Sequence, residues 1–310
     1  MKIVMMGSGG VGGYFGARMA LAGHAVSFVA RGAHGAAMRR DGLRIESPRG
    51  DAHLPTVHVL TEPLEAEVAE LVVIAVKLWD TESAARAIQP LIGPSTAIVS
   101  LQNGVEKDEA IAEELGFKHV LGGVTYVLAK LAEPGLIVHS GTLQRVLVGE
   151  LDGSPSARVD AVVAAFRDGG IDVEASPDIR RATWEKFIFL ASNSAVTAVT
   201  RQTLGAVRTH PATRTLLRDA MREVTNLAQR EGITIADDFV EERMRFIDTL
   251  PADGRASMAN DLLQGHRLEL EWLSGTVLRR AANWNLSTPV HRALYAALVL
   301  YAEGPPGTVR

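Results

Sequence analysis

Lys2-Ile3-Val4-Met5-Met6-Gly7-Ser8-Gly9-Gly10-Val11-Gly12 is the stretch that decides the fold. A short apolar run enters a G-x-G-x-x-G, the signature of a buried strand, a tight turn and a helix start. Gly7 permits the turn. Gly9 lets the backbone approach a pyrophosphate, whose charge rests at the helix N-terminus, and Gly12 lets helix and strand pack closely. A glycine turn without a ligand has the same letters. The position of the loop, after one strand and before another, favours a dinucleotide. Ser8, Gly10 and Val11 belong to the same loop and are counted with it as cofactor-binding.

Outward from that loop, strand and helix signals alternate. Tyr14–Ala22 reads as a helix stopped by Gly23, and Ala25–Val29 as a second strand. Leu71–Val76 and Ala97–Leu101 are continuous apolar runs rich in Val and Ile, which suit strands buried on both faces of a parallel sheet. Val120–Tyr126, Leu136–His139 and Arg145–Val148 read as further strands. Val159–Phe166, Gly169-Gly170 and Ile171–Glu174 add one more helix–strand step. Near Ser176 the strand signals stop. Asp178–Thr200, Pro211–Glu231, Asp237–Leu250, Ser257–Ala281 and His291–Ala302 all read as helices. The tail Gly304–Arg310 is expected to fray.

Composition narrows the function. The chain has 310 residues, 47% of them hydrophobic and 22% charged, which is ordinary globular usage. It has no cysteine, so disulfides, thiolate metal sites and a cysteine nucleophile are excluded. The formal charge is -4 and no basic stripe appears, so no nucleic-acid partner is expected. No apolar run is long enough for a bilayer. No cleavage site follows the N-terminal apolar run, so the expected location is cytoplasmic. The expected partner is a small molecule. No metal site is expected, and a homodimer is compatible with the sequence.

The second strand ends Ser27-Phe28-Val29-Ala30 and gives Arg31-Gly32, where NAD-binding folds usually place an acid for the ribose hydroxyl. An arginine there pairs with the 2′-phosphate of NADP(H); the other reading is a solvated loop charge. Lys77 and Gln102-Asn103-Gly104 follow two later strands, at the carboxyl ends where open α/β sheets bind ligands. A surface lysine and a plain turn are the alternatives.

Carbonyl reduction by a nicotinamide needs a proton donor at the oxygen. Trp184-Glu185-Lys186-Phe187 opens an otherwise apolar helix in which Lys186, Leu190, Asn193 and Thr197 share one stripe. Lys186 either snorkels to water or serves a cleft. In Ser257–Ala281, Leu262, His266, Glu269 and Leu273 share another stripe. A carboxylate there costs free energy unless a cation such as Lys186 meets it. Alternatively that stripe faces outward, as Arg267 and Glu271 suggest, with His266 a surface or core histidine.

Taken together, Lys2–Gly12, Val76-Lys77, Gln102-Asn103-Gly104, Trp184-Glu185-Lys186 and Ser257-Met258 with Glu269 make the chain resemble the ketopantoate reductase family over nearly its whole length. The resemblance implies an α/β Rossmann-type NADP-binding domain with a mostly parallel sheet over 1–175. An all-α substrate-binding and catalytic domain over 176–310 follows. It implies NADPH-dependent reduction of a 2-oxo acid to a 2-hydroxy acid, by default 2-dehydropantoate (ketopantoate) to pantoate in pantothenate biosynthesis. Lys186 matches the catalytic lysine, proton donor and carbonyl polariser. Glu269 matches the acid near cofactor and lysine. Lys77 and Asn103 match cofactor contacts, Asn103 also a substrate contact, and Ser257 a substrate-binding serine. Gly7–Gly12 and Arg31 match the phosphate contacts.

The family usually carries asparagines four and eight residues after the lysine. Here Leu190 and Ser194 stand there, with Asn193 close by, so Asn193 and Ser194 are the expected substrate contacts. Leucine favours a more apolar or differently shaped acid. A reductase of another 2-oxo acid is therefore the alternative; a non-catalytic NADP sensor would need neither Lys186 nor Glu269. Ser257 and Glu269 are twelve residues apart, roughly 18 Å along a straight helix. Both serve one site only if Ser257 precedes the helix or the ligand is long.

Overall fold

The computed structural model describes residues 1–305. One sheet holds β1 (Lys2–Met6), β2 (Ala25–Val29), β3 (Leu43–Glu46), β4 (Ala52–Leu54), β5 (His58–Leu60), β6 (Ala69–Ile74), β7 (Ile92–Ser100), β8 (Val120–Glu133), β9 (Leu136–Gly149) and β10 (Asp172–Ala175). Its order is β4-β3-β9-β8-β7-β6-β1-β2-β5, with β10 also paired to β9. The pairs are parallel except β3–β4 and β8–β9. Five helices accompany it: α1 (Gly10–Leu21), α2 (Gly32–Asp41), α3 (Thr81–Ile88), α4 (Lys107–Leu115) and α5 (Ala157–Asp168).

The central strands are apolar throughout because both faces are covered. Ile3, Met5, Leu71, Val73 and Val99 enter one buried cluster, and Val4, Met6, Val72, Ile74 and Ile98 enter another. This is the period-two alternation of a strand with a core on each side. Register then sets the site. Met6 pairs with Val29 and with Ile74, and Ile74 with Ser100. The carboxyl ends of four parallel strands therefore finish level. Gly7, Arg31, Lys77 and Asn103 leave the sheet along one edge, and β1 has its sequence neighbour β2 on one side and β6 on the other. That reversal of strand order is where doubly wound sheets take ligands.

One expectation changes here. Leu136–His139 and Arg145–Val148 are the two ends of one fourteen-residue strand, β9. The exposed residues Ser140–Leu143 break its apolar alternation at a register shift opposite Val127 and Ala129. Pro134-Gly135, with φ +84° at Gly135, makes the tight turn back to β8.

The chain divides into two compact units, Met1–Asn103 with Lys107–Ala182, and Gly104–Glu106 with the chain from Thr183 onward. The second unit is helical: α6 (Ile179–Thr200, its first turn to Ala182 belonging to the first unit), α7 (Leu204–Thr209), α8 (Pro211–Arg230), α9 (Phe239–Thr249), α10 (Ser257–Leu263), α11 (Ser274–Asn283) and α12 (Pro289–Leu298). The expected helix Ser257–Ala281 is not continuous. Gly265, at φ +70°, ends α10, and a single 3-10 turn over Leu270–Trp272 precedes α11. Glu269 therefore does not share a helical stripe with Leu262 and His266. The expected fraying of Gly304–Arg310 falls, from residue 306 on, outside the described residues. No helix among the described residues is long and apolar enough to cross a membrane.

α8 packs against α7, α9, α11 and α12. Its Glu223 carboxylate accepts hydrogen bonds from Val290 N (2.7 Å) and His291 N (2.9 Å), an anion at the N-terminus of α12. His291 is fully buried, with Nδ1 3.4 Å from Ser274 Oγ. Burial pushes its pKa down to about 4. The unfolded chain takes up a proton at this ring near pH 6.5, which the native chain refuses. The neutral ring's contribution is thus full above pH 6.5 and is lost as pH falls to about 4; it amounts to about 3 kcal/mol. Burial raises the Glu223 pKa, which acts in the opposite sense, since its contribution is lost as pH rises through the native value. We expect His291→Leu to flatten the pH dependence of the urea-unfolding free energy between pH 6.5 and 4. An unchanged slope would show that the ring titrates normally in the fold.

Candidate functional site

In the first unit the glycine loop is shaped by backbone contacts. Gly7 has φ +97°, and a Cβ there would lie 2.8 Å from Val76 Cγ1 and 2.9 Å from Ala75 C. A Cβ on Gly12 would lie 2.0 Å from Gly7 O. Around Gly9 nothing lies within 4 Å of that position. The first turn of α1 has no side-chain cap and no acidic residue. The result is an open cradle in front of a helix N-terminus, which suits the pyrophosphate of a dinucleotide. Val11 is half-buried.

Ser8 is a partial departure. Its hydroxyl is buried and donates to Val29 O at 3.0 Å, so toward a ligand it has only its backbone N–H. His34 on α2 was not foreseen. Its Nδ1 accepts from Gly135 N (3.0 Å), so Nε2 carries the proton and donates to Ser8 O (2.8 Å). Burial holds its pKa below the ordinary histidine value, consistent with a neutral ring. A lone histidine on a short polar helix carries no sequence signal for such a bridge.

Arg31 sits at the N-cap of α2, exposed, with Nη2 3.1 Å from Glu62 Oε2. An exposed pair of this kind is worth ~0–1 kcal/mol and yields readily to a phosphate. Lys77 is exposed, with Nζ 5.6 Å from the Trp79 ring centroid. Asn103 is half-buried at the end of the first unit's β7 loop. No group of three or more His, Asp or Glu among the described residues is arranged to hold a metal.

In the second unit α6 carries Lys186, half-buried two residues after the buried Trp184. Asn193 is 8% exposed and Ser194 is 0% exposed; Asn193 Oδ1 and Ser194 Oγ are enclosed without hydrogen-bond partners. An orphaned amide oxygen on the Lys186 stripe is the kind of group a polar ligand completes. Ser194 lies 800° beyond Lys186 at 100° per residue, about 80° off that stripe. Glu269 is 7% exposed and precedes the 3-10 turn Leu270–Trp272. Ser257 is the exposed first residue of α10, and the break at Gly265 removes the straight-helix separation from Glu269. The His266 side chain is 61% exposed, 3.7 Å from Asp261, a surface histidine.

Comparison with known proteins finds relatives that span both units. The family described as Ketopantoate reductase PanE/ApbA matches residues 3–153, and its C-terminal counterpart matches residues 178–302. A 2-dehydropantoate 2-reductase of Halobacterium salinarum is 34% identical over 304 residues, 98% of this chain and 99% of that one. The crystal structure of 2-dehydropantoate 2-reductase from Geobacter metallireducens superposes with TM-score 0.90 at 30% identity, over 96% of this chain and 99% of that chain. D-mandelate dehydrogenase with NADH and anilino(oxo)acetate gives TM-score 0.89 at 19% identity, over 97% and 98% of the two chains, which shows a shared fold alone. The chain belongs to the ketopantoate reductase family. It is an oxidoreductase of the 2-oxo acid reductase class, with a nicotinamide cofactor and a small keto acid as substrate.

The cradle makes two glycines behave differently. A Cβ on Gly10 would lie 2.2 Å from Ala129 O, a carbonyl held in β8. Gly10→Ala should therefore destabilise the protein by about 1–3 kcal/mol. Gly9→Ala should fold nearly as well as the wild type but lose dinucleotide binding, because its methyl fills the open cradle. Thermal unfolding and cofactor titration of the two variants check both; equal melting temperatures would refute the Gly10 contact.

Proposed function

We propose that the protein reduces ketopantoate to pantoate with NADPH; relatives over its whole length are named 2-dehydropantoate 2-reductase. The observation that carries this is the family membership across both units, from residue 3 to residue 302. The first unit supplies cofactor binding: the Gly7–Gly12 backbone for the pyrophosphate, Arg31 for the 2′-phosphate, and Lys77 and Asn103 for the remainder. When bound, the cofactor supplies the hydride. The second unit supplies the acid. Lys186 Nζ holds the proton that the carbonyl oxygen takes, and its charge stabilises the developing alkoxide. Glu269 is the buried carboxylate that keeps this lysine charged and placed. Asn193 and Ser257 orient the acid; Ser194, enclosed and off the Lys186 stripe, does not. A second reading, another 2-oxo acid as substrate, rests on the half-buried Leu190, one turn after Lys186.

NADPH oxidation against a panel of 2-oxo acids that includes ketopantoate tests the reading. Ketopantoate should be the best substrate; a more apolar acid winning would favour the second reading, and no turnover at all would end both.

Lys186→Ala should lower kcat by about 10²-fold or more while the NADPH dissociation constant stays within a factor of two, because the lost interaction is strongest in the transition state. Full activity would remove the lysine from the mechanism.

Arg31→Ala should weaken NADPH by about ten- to a hundredfold and leave NADH nearly unchanged, since a charge-assisted contact to the 2′-phosphate is worth ~1.5–3 kcal/mol. Equal losses for both cofactors would show that Arg31 does not read the phosphate.

A further inference from the structure

We propose that Gln102 is a positioning residue that sets the spacing of the two loops receiving the nicotinamide half of the cofactor. The inference rests on the dinucleotide-reductase reading above. Gln102 is 6% exposed, and its amide lies across the carboxyl ends of β6 and β7. Nε2 donates to Val76 O at 3.1 Å and to Thr81 Oγ1 at 2.8 Å, with Lys77 O at 3.5 Å. The Thr81 hydroxyl gives its own proton to Leu78 O at 2.8 Å, so toward Gln102 it only accepts. On the other arm, Oε1 accepts from Ser100 Oγ at 2.9 Å. Acceptors surround one end of the amide and a donor faces the other, so its orientation is determined.

The Ser100 end is itself anchored. Lys107 Nζ, with its side chain 1% exposed, lies 3.2 Å from Ser100 O and 2.8 Å from Asp108 Oδ1. A buried charge with two partners is a stiff support. One end of the Gln102 amide thus holds the turn that carries Lys77. Its backbone leads directly into Asn103.

The place in the sheet says what the clamp does. The pyrophosphate cradle begins at the end of β1, and Arg31 follows β2 on one side. A dinucleotide whose 2′-phosphate lies toward β2 extends its other half toward β6 and β7, the neighbours on the opposite side of β1. Gln102 joins those two strand ends. Hydride transfer is sensitive to sub-ångström placement, and a ~1 Å error costs about 10²-fold. The clamp therefore acts on the reacting end of the cofactor and not on its adenosine end.

The test uses the full-length enzyme with Gln102→Glu, which keeps the shape and sets an anionic oxygen against the Val76 and Lys77 carbonyls. Three quantities are measured: affinity for 2′,5′-ADP (the adenosine half alone), affinity for NADPH, and kcat with both substrates saturating. We expect 2′,5′-ADP affinity within about twofold of wild type, NADPH affinity about tenfold weaker, and kcat down by about ten- to a hundredfold. Ser100→Ala, which removes one bond to the amide, should shift NADPH affinity and kcat in the same direction by a smaller factor. Should Gln102→Glu fail to fold, Gln102→Met keeps the shape without either arm and carries the same comparison. A variant with a lower melting temperature but unaltered NADPH affinity and kcat would overturn the proposal, leaving Gln102 a structural residue. Equal weakening of 2′,5′-ADP and NADPH would overturn it too. If wild-type enzyme turned over no 2-oxo acid, the functional reading would fail, while the two affinities would still decide the role of Gln102.

Discussion

At Gly7 three pieces of backbone come too close for any side chain. The end of β1, the Ala75-Val76 turn after β6 and the carbonyl that faces Gly12 on α1 leave no room for a Cβ at either glycine. The positive φ of Gly7 turns the chain directly from strand to helix, so α1 starts in front of the sheet edge with its N–H groups uncapped by any side chain. Everything else in the first unit is placed relative to that turn. Ser8 closes on Val29 O, His34 closes on Ser8 O, and the β8–β9 turn closes on His34. The glycine loop is therefore shaped by packing, and what it presents is backbone dipoles more than side chains.

The second unit solves a different problem. α6 is apolar around most of its circumference and buried along most of its length. Polar groups within such a helix normally turn back on their own backbone, as Ser192 does to Ile188 O and Thr197 to Asn193 O. Asn193 Oδ1 and Ser194 Oγ do not. Leaving such groups unsatisfied costs roughly 1–3 kcal/mol each. Of the two, only Asn193 lies on the stripe that carries Lys186. The Glu223 carboxylate seated at the start of α12, beside a neutral His291, shows the opposite treatment: a buried charge fully met by two backbone donors.

Much of the candidate site was legible because its residue types are dictated by local geometry. Gly7, Gly9 and Gly12 announce a turn and a close approach whatever the rest of the chain does. Lys77 and Asn103 follow uninterrupted apolar runs, and a residue after a doubly buried strand must emerge at a sheet end. Lys186 stood out as a charge opening an apolar helix. The misreadings have equally local causes. Ser257–Ala281 keeps helical spacing through Gly265, and spacing alone cannot tell a glycine tolerated in a helix from one that ends it at φ +70°. Strand β9 reads as two strands because its exposed middle lacks apolar alternation. The short strands β3–β5 and the polar helix α2 bury too few residues to leave a periodic trace.

The sequence by itself determined the α/β-then-α order, the dinucleotide turn and the identity of the charged residues, because backbone sterics and hydrophobic period act over a few residues at a time. Only the tertiary structure decided which strands are neighbours, and so that the ends of β2, β1, β6 and β7 lie level along one edge. It alone showed the Ser8 hydroxyl committed to Val29, Glu269 released from a helix, and Gln102 bonded to a carbonyl 26 residues earlier in the chain. Those are choices of hydrogen-bond partner between segments far apart in sequence. No local propensity encodes them, because each depends on the strand register that only packing fixes.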